Sequence, residues 1–162
     1  HPTNQARIKY LKKLCKLHEA ESNNRNRLLG EDIYRKNINS LLLDNASLDI
    51  KASRFNAAKR TVERYLQIAP QDARAYYYLG EVFSNRNEKD DKEKAIENYK
   101  KSIDLNKGFP PPHRDLGLIY YKDKLSDEAK REFEQYLMLV PNAEDKKYIV
   151  IYLDELGKGD KK

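Results

Sequence analysis

The sequence contains little of what metal sites, disulfide bonds and nucleophilic enzymes are built from. Its 162 residues include one cysteine, three histidines, one methionine and no tryptophan. A single thiol cannot form an internal disulfide bond, and no spacing of cysteine and histidine residues suits a metal ion. We therefore predict that the chain binds no metal and no cofactor.

Signatures of catalytic chemistry are missing as well. The sequence has no glycine-rich phosphate loop, no His-Glu-x-x-His and no Gly-x-Ser-x-Gly. Cys15 and His18 lack the partner residues that a nucleophilic thiol or a general base requires. The acidic run at 88–93 lacks the spacing of a calcium-binding EF-hand loop, so we expect a solvated loop there. These absences predict a protein that is not an enzyme.

Long apolar runs are absent too. No run approaches the roughly 20 residues that a membrane-spanning helix needs, and no signal-peptide pattern occurs. The chain begins at His1-Pro2, and its only methionine is Met138. We therefore expect a trimmed chain that begins with tag residues, so that a signal peptide or lipid anchor could precede it in the full polypeptide.

Positive charge lies at the two ends of the sequence. The net charge is +6, of which residues 1–36 carry +5 and residues 157–162 carry +2, whereas residues 37–156 carry −1. A nucleic-acid groove needs clustered positive charge along its binding face. The charge distribution therefore argues against a nucleic-acid partner.

One pattern of large and small residues occurs twice in the central part of the chain. A large ring is followed after two residues by Leu-Gly and, after two more, by an aromatic residue, at 76–83 and again at 113–120. Each copy is followed by an alanine and, four residues later, by an aromatic residue. These pairs are Ala95 with Tyr99 and Ala129 with Phe133.

The spacing of the copies indicates a period of 34 residues. Ala95 and Ala129 are 34 residues apart, whereas Ala58 and Ala95 are 37 apart. An insertion of three residues in the polar stretch 84–91 accounts for the difference, because such a stretch is typical of a turn.

This pattern resembles the tetratricopeptide repeat (TPR), which has a period of 34 and the motif Trp-x2-Leu-Gly-x2-Tyr, then Ala-x3-Phe, then Pro. The resemblance implies an all-α fold, a TPR-type solenoid of antiparallel helix pairs. The first repeat is degenerate, with Asn45-Ala46 in place of Leu-Gly. The implied divisions are an N-terminal helical segment at 1–36, a TPR region at 37–156 with repeats at 39–72, 73–109 and 110–143 and a capping helix at 144–156, and a tail at 157–162.

Helical spacing supports the resemblance. Tyr76, Leu79, Gly80 and Phe83 form one stripe of a helix, and Gly80 is small where a neighbouring helix should approach most closely. His113 occupies the position of Tyr76 in the next repeat, which predicts a structural histidine. In the capping helix we predict a packing side of Tyr148, Ile151, Tyr152 and Glu155, flanked by Val150 and Leu153, and a stop at Gly157 to Asp160.

Stacked helix pairs create a concave groove that is lined by the first helix of each pair. Aromatic and arginine side chains in such a concavity are the usual anchors of protein recognition. The alternative is that Tyr77 and Tyr121 pack on neighbouring helices and that Arg114 pairs with a carboxylate. The predicted partner-binding residues are Arg74, Tyr77, Glu81, Ser84, Arg114, Leu118, Tyr121 and Lys122.

One known class of TPR ligand does not fit this sequence. A TPR subclass holds the terminal carboxylate of chaperone tails with lysine, asparagine and arginine side chains. None of the residues here is a suitable donor, and Asp115 would repel the ligand. The matching positions hold Leu43, Ser47, Tyr78, Pro111 and Asp115.

Three functions are consistent with these features. The first is a non-catalytic module that binds a protein or peptide partner in the groove. The second is an accessory TPR region of a larger bacterial envelope protein, because residues 132–156 resemble the ends of TPR regions in cell-envelope lipoproteins and in periplasmic zinc peptidases. The third is a structural module that forms homo-oligomers through its exposed ends. The second favours the bacterial periplasm or cell envelope as the location, with the cytoplasm as the alternative.

Overall fold

The computed structural model describes residues 41–159, so the predicted helical segment at 1–36 lies outside the described residues. Seven helices and no strand occur within 41–159, which confirms the predicted all-α class. The described residues of the first helix, α1, are 41–51. The others are α2 (Phe55–Leu66), α3 (Ala73–Arg86), α4 (Asp91–Leu105), α5 (Pro110–Lys122), α6 (Ser126–Leu139) and α7 (Lys146–Gly159).

The helices pack in chain order. α3 packs against α4 and α5 against α6, and a short turn joins the two helices of each pair, which makes them antiparallel. α2 lies against α3, α4 against α5 and α6 against α7. Buried side chains from α1 to α7 form one continuous hydrophobic core.

Glycine sets the closest approach within each pair. A Cβ atom on Gly80 would lie 2.5 Å from Cδ1 of Tyr99, and one on Gly117 would lie 2.7 Å from Cδ1 of Phe133. Both rings are fully buried. The close approach predicted at Gly80 is therefore confirmed, and the ring on the second helix occupies the space that a side chain would need.

The first helices of the two pairs, α3 and α5, begin with residue types that favour the start of a helix. Asp72 precedes α3 and accepts a hydrogen bond from the Arg74 backbone at 2.9 Å, which satisfies a free N–H group of the first turn. Asp72 also accepts a bond of 2.5 Å from the hydroxyl of Tyr65. α5 begins with three prolines, whose missing N–H groups cost little at that position.

The three inserted residues of the second repeat are distributed over three places. Compared with α5, α3 is one residue longer at its end. The turn at 87–90 has one residue more than the turn at 123–125. α4 has one residue more before Ala95 than α6 has before Ala129. The insertion therefore leaves the packing of both pairs in the same register.

The acidic stretch predicted to be a solvated loop contains a buried ion pair. Residues 87–90 are exposed, but the side chain of Asp91 has no exposed surface. Arg86 donates to both Asp91 oxygens, at 2.8 and 2.7 Å, and the Glu88 backbone N–H donates at 3.0 Å. The expectation of a solvated loop was wrong for residues 91–93, because they form the first turn of α4. Asp91 is buried there because a bidentate guanidinium compensates the carboxylate for its lost water.

Replacing Asp91 by asparagine is expected to lower the free energy of unfolding by about 2–4 kcal/mol at neutral pH, because Arg86 loses its buried counter-charge and keeps only the exposed Glu88, at 3.2 Å. The hydrogen bonds from Arg86 lower the pKa of Asp91 to about 2 in the folded protein. The stability that this carboxylate contributes is therefore complete above about pH 4 and is lost as the pH falls towards 2. Urea unfolding of both proteins across this range should give a difference that shrinks with acidity. A difference independent of pH would contradict the assignment.

The final helix packs through a face one residue further along than predicted. The residues that are buried or half-buried against the core are Ile149, Tyr152, Leu153 and Leu156. Tyr148 is 63% exposed, Ile151 is 43% exposed and Glu155 is exposed as well, so the predicted packing side was wrong at these three residues and is confirmed at Tyr152. Both faces have helical spacing, but the predicted one includes Glu155, and burying an unpaired carboxylate is costly.

The end of α7 also differs from the prediction. The predicted capping helix ends at 156 and the predicted stop spans Gly157 to Asp160. The observed helix includes Gly157 and continues to Gly159, so it passes the first glycine of the predicted stop. Within the described residues, no helix has the length and apolarity needed to cross a membrane.

Candidate functional site

The eight predicted partner-binding residues all lie on α3 and α5, the first helices of the two complete pairs. Within these helices the structure forms two groups. Tyr77, Glu81 and Arg114 belong to a hydrogen-bonded network around Asp115, which we call the central network. Ser84 and Lys122 line a small cavity near the ends of the two helices, which we call the turn-end pocket.

Tyr77 is held on several sides. Its ring centroid lies 5.5 Å from that of Phe109 in an edge-on arrangement, 5.6 Å from that of Tyr78 and 5.9 Å from that of Tyr99. Its hydroxyl donates to Asp115 at 3.1 Å, across the gap between α3 and α5. Burial raises the pKa of Tyr77, and the charge of Asp115 raises it further. Tyr77 is therefore half-buried and joins two neighbouring repeats.

Arg114 is paired within the molecule. Its Nε donates to Asp115 at 2.7 Å, and its Nη1 lies 3.6 Å from a carboxylate oxygen of Asp145. Tyr136 donates to the other oxygen of Asp145 at 2.6 Å. A third of the Arg114 side chain stays exposed. One guanidinium thus faces two carboxylates at the surface of α5.

Glu81 is a carboxylate in an unfavourable position. It is half-buried and accepts a hydrogen bond of 2.8 Å from the hydroxyl of Tyr99. Burial raises the pKa of Glu81, and the negative charge of Asp115 raises it further. The central network therefore contains three carboxylates, those of Glu81, Asp115 and Asp145, and one guanidinium, that of Arg114.

Replacing Glu81 by glutamine is expected to raise the free energy of unfolding by roughly 0.5–1.5 kcal/mol at neutral pH. Because the folded pKa is raised, the ionised carboxylate costs stability above that pKa, and the cost disappears as the pH falls through it. Urea unfolding near pH 7 and near pH 4 should show the gain only at the higher pH. Glu97→Gln on the exposed surface of α4 is the control, with no expected gain at either pH. A loss of stability in Glu81→Gln at neutral pH would sink this interpretation.

The other predicted residues divide between packing and exposure. Tyr121 donates to Glu155, and its ring centroid lies 4.7 Å from that of Tyr152, so it packs on α7. Leu118 is half-buried. Arg74 is exposed and holds Asp72 at 2.7 Å, beside its own helix start. Tyr77 and Tyr121 thus pack on neighbouring helices and Arg114 pairs with carboxylates, as the alternative interpretation of these residues predicts.

His113 lies in the core, as predicted for its position in the repeat. It is 5% exposed, and its Nδ1 is 2.7 Å from a carboxylate oxygen of Glu132. Its Nε2 is buried and has no hydrogen-bond partner among the described residues. Residues 41–159 contain no group of three or more histidine, cysteine, aspartate or glutamate side chains that could hold a metal ion.

Two members of the central network were missed as participants. In the repeat pattern Tyr99 is only the aromatic residue that follows Ala95. A buried tyrosine hydroxyl usually needs a hydrogen-bond partner, and this signal could have suggested Glu81. Asp115 was considered only as a residue that repels carboxylates. Its bond to Arg114 joins two neighbouring residues of α5, whereas its bond to Tyr77 depends on how α3 and α5 stack, for which the sequence offers no local signal.

No family model matches the sequence. The structure is similar to that of TTC0263, described as a thermophilic TPR protein of Thermus thermophilus. The TM-score is 0.61 at 22% identity, and the match covers 91% of this chain and 79% of that chain. The fold is that of the tetratricopeptide repeat.

Two further structures share the TPR fold. MamA matches with a TM-score of 0.55 at 20% identity, over 90% of this chain and 83% of that chain. The K341M mutant of the O-GlcNAc transferase of Thermobaculum terrenum matches with a TM-score of 0.65 at 20% identity. That match covers 74% of this chain but 22% of the transferase, so the likeness concerns one region of a larger enzyme.

The curated proteins that match in sequence are also much longer. Two Homo sapiens proteins, RANBP2-like and GRIP domain-containing proteins 1 and 2, are each 32% identical to this chain over 103 residues. The match covers 60% of this chain and 6% of each human protein. The chain thus spans a small fraction of the length of these relatives.

Proposed function

We propose that this TPR module binds a segment of another protein along the face formed by α3 and α5, and that it catalyses no reaction on that partner. The TPR fold supports the interpretation that this chain is a scaffold that takes part in protein interactions. The observation that carries the proposal is the central network. It places the ring of Tyr77, the guanidinium of Arg114 and three carboxylates on α3 and α5 and just before α7, and each of these groups is partly exposed.

The energetics of Glu81 support a functional use of this face. A carboxylate that is half-buried beside Asp115 costs stability, and a glutamine could accept the same bond from Tyr99. Residues that are retained at a cost in stability are concentrated at functional sites. A bound partner that supplies hydrogen-bond donors would compensate these carboxylates.

The proposal is tested by selecting binders from a library of random linear peptides displayed on phage, with the whole chain as bait. Amide chemical shifts measured by NMR then locate a selected peptide on the chain. We expect the largest shifts in α3 and α5 and weaker binding by Arg114→Gln. Lys130→Glu, on the exposed surface of α6, should bind as the wild type does. Shifts confined to α4 and α6 would overturn the proposal.

A second candidate is that the chain is an accessory region of a longer polypeptide. The transferase and the two human relatives, each several times longer than their matched regions, favour it. Its placement in a bacterial envelope protein rests on residues 132–156 alone, and the cytoplasm stays the alternative location. Obtaining the complete gene tests this candidate, since a reading frame that ends close to both ends of the chain would contradict it.

Self-association is the third candidate, and the exposed side of α7 favours it. Tyr148, Val150 and Ile151 are exposed apolar side chains on this terminal helix. Light scattering over a range of concentrations tests it. A mass that grows with concentration in the wild type but stays constant in Ile151→Lys is expected, and a constant monomer mass in the wild type would exclude it.

A further inference from the structure

The turn-end pocket lies where α3, α4 and α5 meet. It is a cavity of about 120 Å³. Its floor is apolar, with Phe83 and Ala95 buried and Ile119 half-buried. Its rim is polar and exposed. The residues of the rim are Ser84, Asn87, Lys92, Lys122 and Asp123.

The next junction of the fold, between α5 and α7, has a larger residue at the corresponding position. Ser84 and Tyr121 occupy the same position of successive repeats, 37 residues apart. Tyr121 lays its ring against Tyr152 of α7, at 4.7 Å between centroids, and donates its hydroxyl to Glu155. The serine side chain at position 84 is too short to make the corresponding contacts with α5, and it lines the turn-end pocket instead.

The size of the pocket limits what it can take. About 120 Å³ exceeds the roughly 30 Å³ share of one water molecule and is far below the roughly 300 Å³ at which drug-sized ligand sites begin. An apolar cavity of about 150 Å³ takes up benzene. The pocket is therefore sized for one apolar side chain of a partner.

The charges of the rim add a second requirement. Lys92 lies 3.1 Å from Asp123, and this ion pair neutralises the one carboxylate of the rim. Lys122 is exposed, and no ion pair joins it to a described residue within 4.0 Å. The rim thus keeps one positive charge, which complements a carboxylate on the partner.

We infer that the turn-end pocket is an anchor site for a linear segment of a partner protein, which inserts one aliphatic or phenyl side chain and sets an adjacent aspartate or glutamate against Lys122. This inference rests on the proposed function, since it concerns the same helices. It adds a specificity: an apolar residue next to an acidic one. The central network then contacts a neighbouring part of the same segment.

The test uses the same displayed peptide library with the whole chain. Selected peptides should share an apolar residue next to an acidic one. Ser84→Tyr, which copies the natural solution at Tyr121, should weaken their binding by about tenfold to a hundredfold, the loss expected when one side chain is no longer buried. Because Ser84 is exposed, the variant should keep the wild-type melting temperature, which circular dichroism checks.

A second variant tests the charge. Lys122→Glu should reverse the preference at the adjacent position from acidic to basic residues when the selection is repeated. Lys130→Glu makes the same charge change on α6, outside the pocket, and should leave the preference as it is in the wild type. Unchanged preference in Lys122→Glu would overturn the charge requirement.

The outcomes separate the two proposals. Peptides that bind α3 and α5 and lose affinity in Arg114→Gln but not in Ser84→Tyr would support the groove and overturn the pocket. Selection of peptides without a shared apolar–acidic pair would also overturn the pocket. If no peptide is selected, both the groove and the pocket fail.

Discussion

Replacing Gly80 by leucine is expected to lower the free energy of unfolding by more than about 4 kcal/mol, enough to unfold many domains of this size. Even the first added carbon would lie 2.5 Å from Cδ1 of the Tyr99 ring. That ring cannot move aside easily, because it is fully buried and its hydroxyl is bound to Glu81. Circular dichroism during urea unfolding measures the effect.

The same helix pair offers a finer comparison. Gly80→Ala should still destabilise, although alanine favours a helix by about 1 kcal/mol over glycine. Gly157→Ala is the matched control in α7, where an added Cβ meets nothing within 4 Å, and it should raise stability by up to about 1 kcal/mol. Equal gains in both variants would mean that α3 and α4 are not in close contact at Gly80.

Replacing Tyr77 by alanine is expected to lower the free energy of unfolding by about 2–4 kcal/mol, because its ring packs against three others and the cavity would not close fully. Tyr77→Phe keeps the ring and loses only the bond to Asp115, so it should cost about 1 kcal/mol. Thermal and urea unfolding of both variants measures the difference. If alanine costs no more than phenylalanine does, the ring is not part of the packing.

These two variants also guide the study of binding. A loss of affinity in Tyr77→Ala could come from unfolding or from a lost contact with the partner, and the measurement would not separate the two. Tyr77→Phe avoids this problem because it keeps the packed ring. Arg114, Ser84 and Lys122 are better probes of the partner-binding face, since each has exposed surface.

The period and the small residues of the sequence predicted most of the fold. A recurring Leu-Gly followed by Ala and an aromatic residue depends on contacts within one helix pair, and those contacts recur at Gly80 and Gly117. The packing side of α7 was harder to predict from the sequence, because two apolar stripes one residue apart both have helical spacing. Only the contacts with α6 decide between them.

The candidate site was predicted less completely, for a physical reason. Position in the repeat placed all eight residues on the first helices, but it gave no information about pairing between repeats. The bond from Tyr77 to Asp115 spans 38 residues, and Asp145, the second partner of Arg114, lies beyond α6. The short link between Arg86 and Asp91 was missed because it depends on the left-handed backbone of Asn87 and Asp90.

The half-buried Leu153 limits how the array can grow. It occupies in α7 the position that Gly80 and Gly117 hold in α3 and α5, since the buried stripe Ile149, Tyr152, Leu153 and Leu156 aligns with theirs. A ring that approached α7 as Tyr99 approaches Gly80 would collide with the leucine side chain. Packing a second helix against α7 in the same geometry would therefore require a small residue at position 153. This is the position to change when longer arrays are engineered.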